Sequence, residues 1–143
     1  MTAIHFTLRL RRRRDLLIAR HRARRLTALL GFSSIDQARI SAAVFALASA
    51  AYQTTPAALR FDVNDEAITV AAMSPRRALA VPAVRQRLPV HRCLASEDVG
   101  WAMKQLVALA PFRAFEEIQR LNADVLLLSR ELSPSEVRPS HAA

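Results

Sequence analysis

Between Leu10 and Leu16 the apolar residues of this chain change their spacing, and that change constrains the fold more than any other feature of the sequence. In IHFTLRL, Ile4, Phe6, Leu8 and Leu10 alternate with His5, Thr7 and Arg9, the period of two expected of a half-buried strand. From about Asp15, Leu16, Ala19, Ala23, Leu26 and Leu30 recur every three or four residues with most arginines between them, which predicts an amphipathic helix ending near Gly31. In GFSSIDQARISAAVFALASAAYQTT, Ser33 or Ser34 can accept from first-turn amides and Asp36 adds a favourable negative charge, so a second helix is expected to run to about Tyr52. Its many alanines suit a buried helix packed closely on a neighbour. Pro56 ends it, and LRFDV and AITVAA, separated by Asn64, Asp65 and Glu66, predict a β-hairpin.

The stretch MSPRRALAVPAVRQRLPV holds three prolines and four arginines with no clear period, so a loop with at most one short helical turn is expected. Ser96, Glu97 and Asp98 then cap a helix through about Leu109, and Pro111 suits the first turn of another. In that last helix Ile118, Leu121, Val125, Leu128 and Leu132 form a short heptad seam, and Pro134 and Pro139 stop it. These boundaries divide the chain into a half-domain over 1–73, a connector over 74–95, a helical extension over 96–133 and a disordered tail over 134–143.

With 143 residues, 52% of them apolar, the chain can bury one sizeable core. The longest uncharged apolar run, Ile40 to Tyr52, has 13 residues, short of the roughly 20 that span a bilayer. No apolar stretch of signal-peptide length follows Arg11 to Arg14 before Arg20, Arg22, Arg24 and Arg25, so the protein is expected to stay in the cytoplasm, without a membrane partner. Cys93 is alone, which excludes an intrachain disulfide and a thiol-based metal site. Of the net charge of +9, all but +1 lies in residues 1 to 30, where nine arginines face one Asp15.

The order of strand, basic helix, Gly-Phe-Ser, capped helix and hairpin over residues 4 to 72 resembles the N-terminal half of the Bergerat-fold (GHKL) ATPases, specifically the small bacterial anti-sigma factors and switch serine kinases. LGFSSIDQARISAAV, Leu30 to Val44, carries the likeness most specifically, and IARHRARRLTALLGFS before it also fits. Leu94 to Leu132 is similar to the segment joining such a module to a coiled coil in bacterial sensor proteins. The resemblance implies ATP and magnesium held by a Glu-x-x-x-Asn pair on the second helix, where this chain has Ala46 and Ala50; neither can accept a proton or bind a metal. It also implies an Asp-x-Gly-x-Gly box and a glycine-rich lid, but the hairpin is followed by MSPRRALAVP and the only glycines are Gly31 and Gly100. Three parts of one site are absent together, which predicts that ATP chemistry has been lost and that no cofactor remains.

Several residues carry a functional and a plainer reading. Arg11, Arg12, Arg13, Arg14, Arg20 and Arg24 form a candidate basic surface for nucleic acid; a solvated helix face in an arginine-rich proteome is the preferred reading, because no aromatic is interleaved and no helix-turn-helix is evident. His5, His21, His91 and His141 are too scattered for a metal site or triad. Ser33 and Ser34 are explained by capping, Trp101, Phe112 and Phe115 by core packing, and the adjacent Glu116 and Glu117 point to different faces rather than forming a catalytic pair.

The expected fold is α+β, a two-layer α/β sandwich built on a truncated Bergerat-like half with two C-terminal helices; the competing reading is mainly helical. The expected function is a non-catalytic regulatory or adaptor protein, leaning away from an enzyme. Its partners would be proteins such as a sigma factor, an anti-anti-sigma factor or a sensor; the seam at Ile118, Leu121, Val125, Leu128 and Leu132 would serve a homodimer or a docked partner, or equally pack back on the sheet or on the helix over 97–109. The alternatives are a residual ATP- and magnesium-binding serine or histidine kinase-like protein and a basic nucleic-acid-binding protein.

Overall fold

The computed structural model describes residues 4–53, 56–64, 66–73, 83–89 and 113–132. Among them the chain is mixed α+β, with strands β1 (Ile4–Leu10), β2 (Ala57–Val63), β3 (Ala67–Met73) and β4 (Val84–Arg87) and helices α1 (Arg13–Leu29), α2 (Ser34–Tyr52) and α3 (Ala114–Leu132). The strands form one antiparallel sheet in the order β1-β2-β3-β4. The mainly helical alternative is therefore set aside.

Each boundary has a local cause. At the start of α1 the Asp15 carboxylate accepts from the backbone N–H of Arg11 and Arg12, at 2.7 and 2.8 Å, taking up donors that the first turn leaves unpaired. At its end Phe32 N–H donates to Thr27 O and Gly31 N–H to Ala28 O, the paired closure that requires a left-handed residue after the helix. Gly31, at φ 85°, supplies it. Ser33 caps α2 by accepting from Asp36 N–H at 3.2 Å. The β2–β3 hairpin closes without glycine, because Asn64 Oδ1 accepts from the N–H of both Glu66 and Ala67 at 2.8 Å, a side chain standing in for a backbone turn.

Alternation along the strands produces two unlike faces. Phe6, Leu8 and Leu10 of β1, Leu59, Phe61 and Val63 of β2, Ile68 and Val70 of β3, and Val84 and Leu88 at β4 turn toward the helices. Phe6 and Phe61 are register partners and stack with centroids 4.5 Å apart. Helix α2 packs against all four strands, while α1 packs on α2 and β1. Ala19 and Ala23 of α1 and Ala38, Ala48 and Ala51 of α2 are fully buried; side chains this small let helices and sheet approach closely. The opposite face of the sheet has no described element packed on it, and it exposes His5, Thr7, Arg9, Arg60, Arg85 and Arg87.

The loop expected over 74–95 requires correction, since Val84–Arg87 is a strand whose Val84, Arg85, Gln86 and Arg87 pair with Val70, Thr69, Ile68 and Ala67. Of the two helices expected at the C-terminus, α3 is present; the one over 96–109 lies outside the described residues, as do Cys93, His91, Trp101, Gly100, Phe112, His141 and the tail over 134–143.

Candidate interaction site

Helix α3 joins the domain through charge. It packs on α1 and α2, and at its junction with α1 the Arg20 guanidinium donates from Nη1 to Glu117 and from Nη2 to Asp124. Arg24 Nη1 also donates to Asp124, and His21 Nδ1 lies 3.0 Å from Glu117 Oε2. Arg20 and Glu117 are each 1% exposed and Asp124 is 4% exposed, so the centre of the cluster is shut off from water, while His21 and Arg24 at its edge are half-buried. Two guanidiniums face two carboxylates, which leaves no net charge to bury. Burial alone pushes the Glu117 carboxyl up, but hydrogen bonds from His21 and Arg20 and the positive charge of Arg20 outweigh it and hold the group below the ordinary carboxylate range. An ionised Glu117 can only accept, which places a proton on His21 Nδ1.

The placement of Arg20 corrects the basic surface expected from the sequence. Arg11, Arg12, Arg13 and Arg14 are exposed at the start of α1, Arg24 is half-buried, and Arg20 is inside. Its helical position faces α3, where Glu117 and Asp124 compensate it. Glu116 and Glu117 lie on different faces, as the sequence implies: Glu117 is buried, and Glu116 is exposed and pairs with Arg113 at 3.6 Å. The spacing of Glu117, Leu121, Asp124 and Leu128 is itself heptad-like, a row in which two acids occupy seam positions. That spacing was the available signal, and it is legible only alongside Arg20 and Arg24 one turn apart on α1.

The expected apolar seam is consequently split between two sides of α3. Leu121 and Leu128 are half-buried beside the ion pairs, whereas Ile118 is 45% and Val125 is 54% exposed. Phe115 at 72% and Leu126 at 63% widen the outward row; Phe115 is thus not the core residue expected. Leu132 closes the helix. A helix of 19 residues is about 28 Å long, and over most of that length α3 holds the domain with its charged side and presents an apolar row outward.

At the positions implied for nucleotide chemistry, Ala46 is exposed and Ala50 half-buried on α2. Gly31 is committed to ending α1. Among the described residues no group of three or more His, Cys, Asp or Glu side chains is placed to hold a metal. No described helix is long and apolar enough to cross a membrane. Comparison with protein-family models, curated proteins and solved structures gives no match to this chain.

Proposed function

We propose that this chain is a non-catalytic regulatory or adaptor module, resident in the cytoplasm, that works by binding a protein partner along the outward row of α3. The observation that carries the reading is the pairing of opposites on one helix: Glu117 and Asp124 are sealed against α1, while Phe115, Ile118, Val125 and Leu126 are exposed. An exposed row of large apolar side chains on a helix whose position is already fixed is the kind of surface that partner grooves accept. The finer fold reading, a truncated Bergerat-like half in a two-layer sandwich, and a partner of the sigma-factor, anti-anti-sigma or sensor type rest on the resemblance around Leu30 to Val44. Ala46 and Ala50 support a binding role over an ATP-dependent one.

The test is capture from the native cell by the full chain, with Ile118→Lys, Val125→Lys and Leu126→Lys combined as the variant. Because these side chains are already 45 to 63% exposed, the melting temperature should stay within a few degrees of the parent, while the captured partner is lost. A variant that retains the same partner overturns the reading, as does calorimetry showing micromolar binding of ATP with magnesium to the unaltered chain.

A further inference from the structure

From the open face of the sheet we infer a second binding surface, one that holds the phosphate backbone of double-helical nucleic acid. Strand pairing brings together on this face arginines that the sequence scatters over 78 positions, from Arg9 to Arg87. In register, Arg9 stands opposite Ala58, Arg60 between Thr7 and Ala71, Arg85 opposite Thr69 and Arg87 opposite Ala67. Each guanidinium therefore has a small or hydroxyl side chain beside it and room to extend. Asp62 is the one carboxylate on this face of the described strands, engaged by Arg60 at 3.1 Å and by His5 at 3.8 Å. With Arg60 set against Asp62 and no charged side chain on β3, the excess positive charge of this face comes from Arg9 on β1 and from Arg85 and Arg87 on β4.

The surface continues past the sheet edge. Arg9 also lines a shallow hollow where β1 meets α1, shared with Arg11, Arg12 and Arg14. The backbone N–H groups of Arg11 and Arg12, just before α1, are already taken by Asp15, whose carboxylate also lines the hollow, so the anion-binding capacity of the hollow lies in the arginine side chains. Arg85 and Arg87 on β4 and Arg9, Arg11 and Arg12 at β1 and the start of α1 thus form two basic groups on either side of the neutral Arg60–Asp62 pair, and a polyanion is the ligand that reaches both. A duplex offers one phosphate per about 1.7 Å of axis, more than enough over strands roughly 20 Å long.

Two features select the duplex among polyanions. Phe6 and Phe61 both turn into the core, so the one ring on the open face of the described strands is the His5 imidazole, set toward Asp62 at 3.8 Å, and the succession of aromatics on which single strands stack their bases is missing there. Met73 is the one large apolar side chain exposed there, whereas a membrane-seated surface inserts several. Contacts confined to phosphate read no sequence, so binding should be insensitive to base order.

Fluorescence anisotropy with the full chain and a mixed-sequence 20-base-pair duplex, titrated across salt concentrations, tests the assignment. With five phosphates neutralised the slope of log K against log salt is about −4.5, and Arg9→Gln, Arg85→Gln and Arg87→Gln together should reduce its magnitude by about 3. At physiological salt that triple variant should bind at least about tenfold more weakly. Its Arg→Lys counterpart should keep most of the affinity. The same charge removed elsewhere, at the exposed Arg39, Arg120 and Arg130, should leave affinity within about twofold. Amide shifts of the unaltered chain on adding duplex should cluster at 5–9, 58–62 and 85–87, a readout that needs no variant. Equal losses in the two Gln triples, tighter binding of the single strand, or binding to phosphatidylserine vesicles without binding to the duplex would each overturn the assignment.

Discussion

Replacing Arg20 with Met should destabilise the protein by about 3 to 5 kcal/mol, the range for stranding buried charges by removing their partner. Glu117 would keep only His21 and Asp124 only Arg24, with both carboxylates themselves buried. Denaturant unfolding at neutral pH reads the loss. If the damage comes from uncompensated charge, Arg20→Met combined with Glu117→Leu and Asp124→Leu should recover most of it, since well-packed apolar replacements of buried ion pairs are often neutral or stabilising. An Arg20→Met variant as stable as the parent would show that α3 is not held by these pairs. Acid provides a second readout. The folded-state Glu117 carboxyl sits below its ordinary value of 4.5, so its stabilisation is complete above that value and is lost as pH falls through the depressed one. The Glu117→Gln variant, lacking this titration, should lose less stability than the parent below pH 4.5.

Phe61→Ala should cost a similar amount for a different reason. Phe61 is fully buried on an interior strand, stacked on Phe6 and opposite Val70. Its removal leaves a cavity that backbone pairing on both sides keeps from collapsing, and buried Phe→Ala changes cost about 3 to 5 kcal/mol. The neighbouring Arg60→Ala, one residue away on the open face, should change stability by no more than about 0.5 kcal/mol. Urea unfolding of the two variants measures the contrast between the faces of the sheet. Equal losses would mean that β2 is not oriented as described.

These two predictions stand at opposite ends of what the sequence makes legible. Phe61 can be placed inside from LRFDV alone, because a period of two admits only two arrangements and one of them exposes Leu59, Phe61 and Val63 together. The helices α1 and α2 are equally readable, since Asp15, Gly31 and Ser33 each act on backbone groups within a few residues. Strand β4 is not readable in this way. VRQR is short and flanked by Pro82 and Pro89, and it becomes a strand by pairing with β3, a partner no local pattern announces. The ion cluster is hidden for a related reason. Glu117 and Asp124 look like surface acids until Arg20, 97 positions before Glu117, is packed against them.

Site-specific photo-crosslinking in the native cell tests most directly whether α3 is the working surface. A photoreactive phenylalanine analogue placed singly at Ile118 or Val125, both about half exposed, should form a covalent adduct with the same partner protein from either position. The same analogue at Ala46, exposed on α2, should form none with that partner. Adducts from Ala46 together with silence at Ile118 and Val125 would contradict the account.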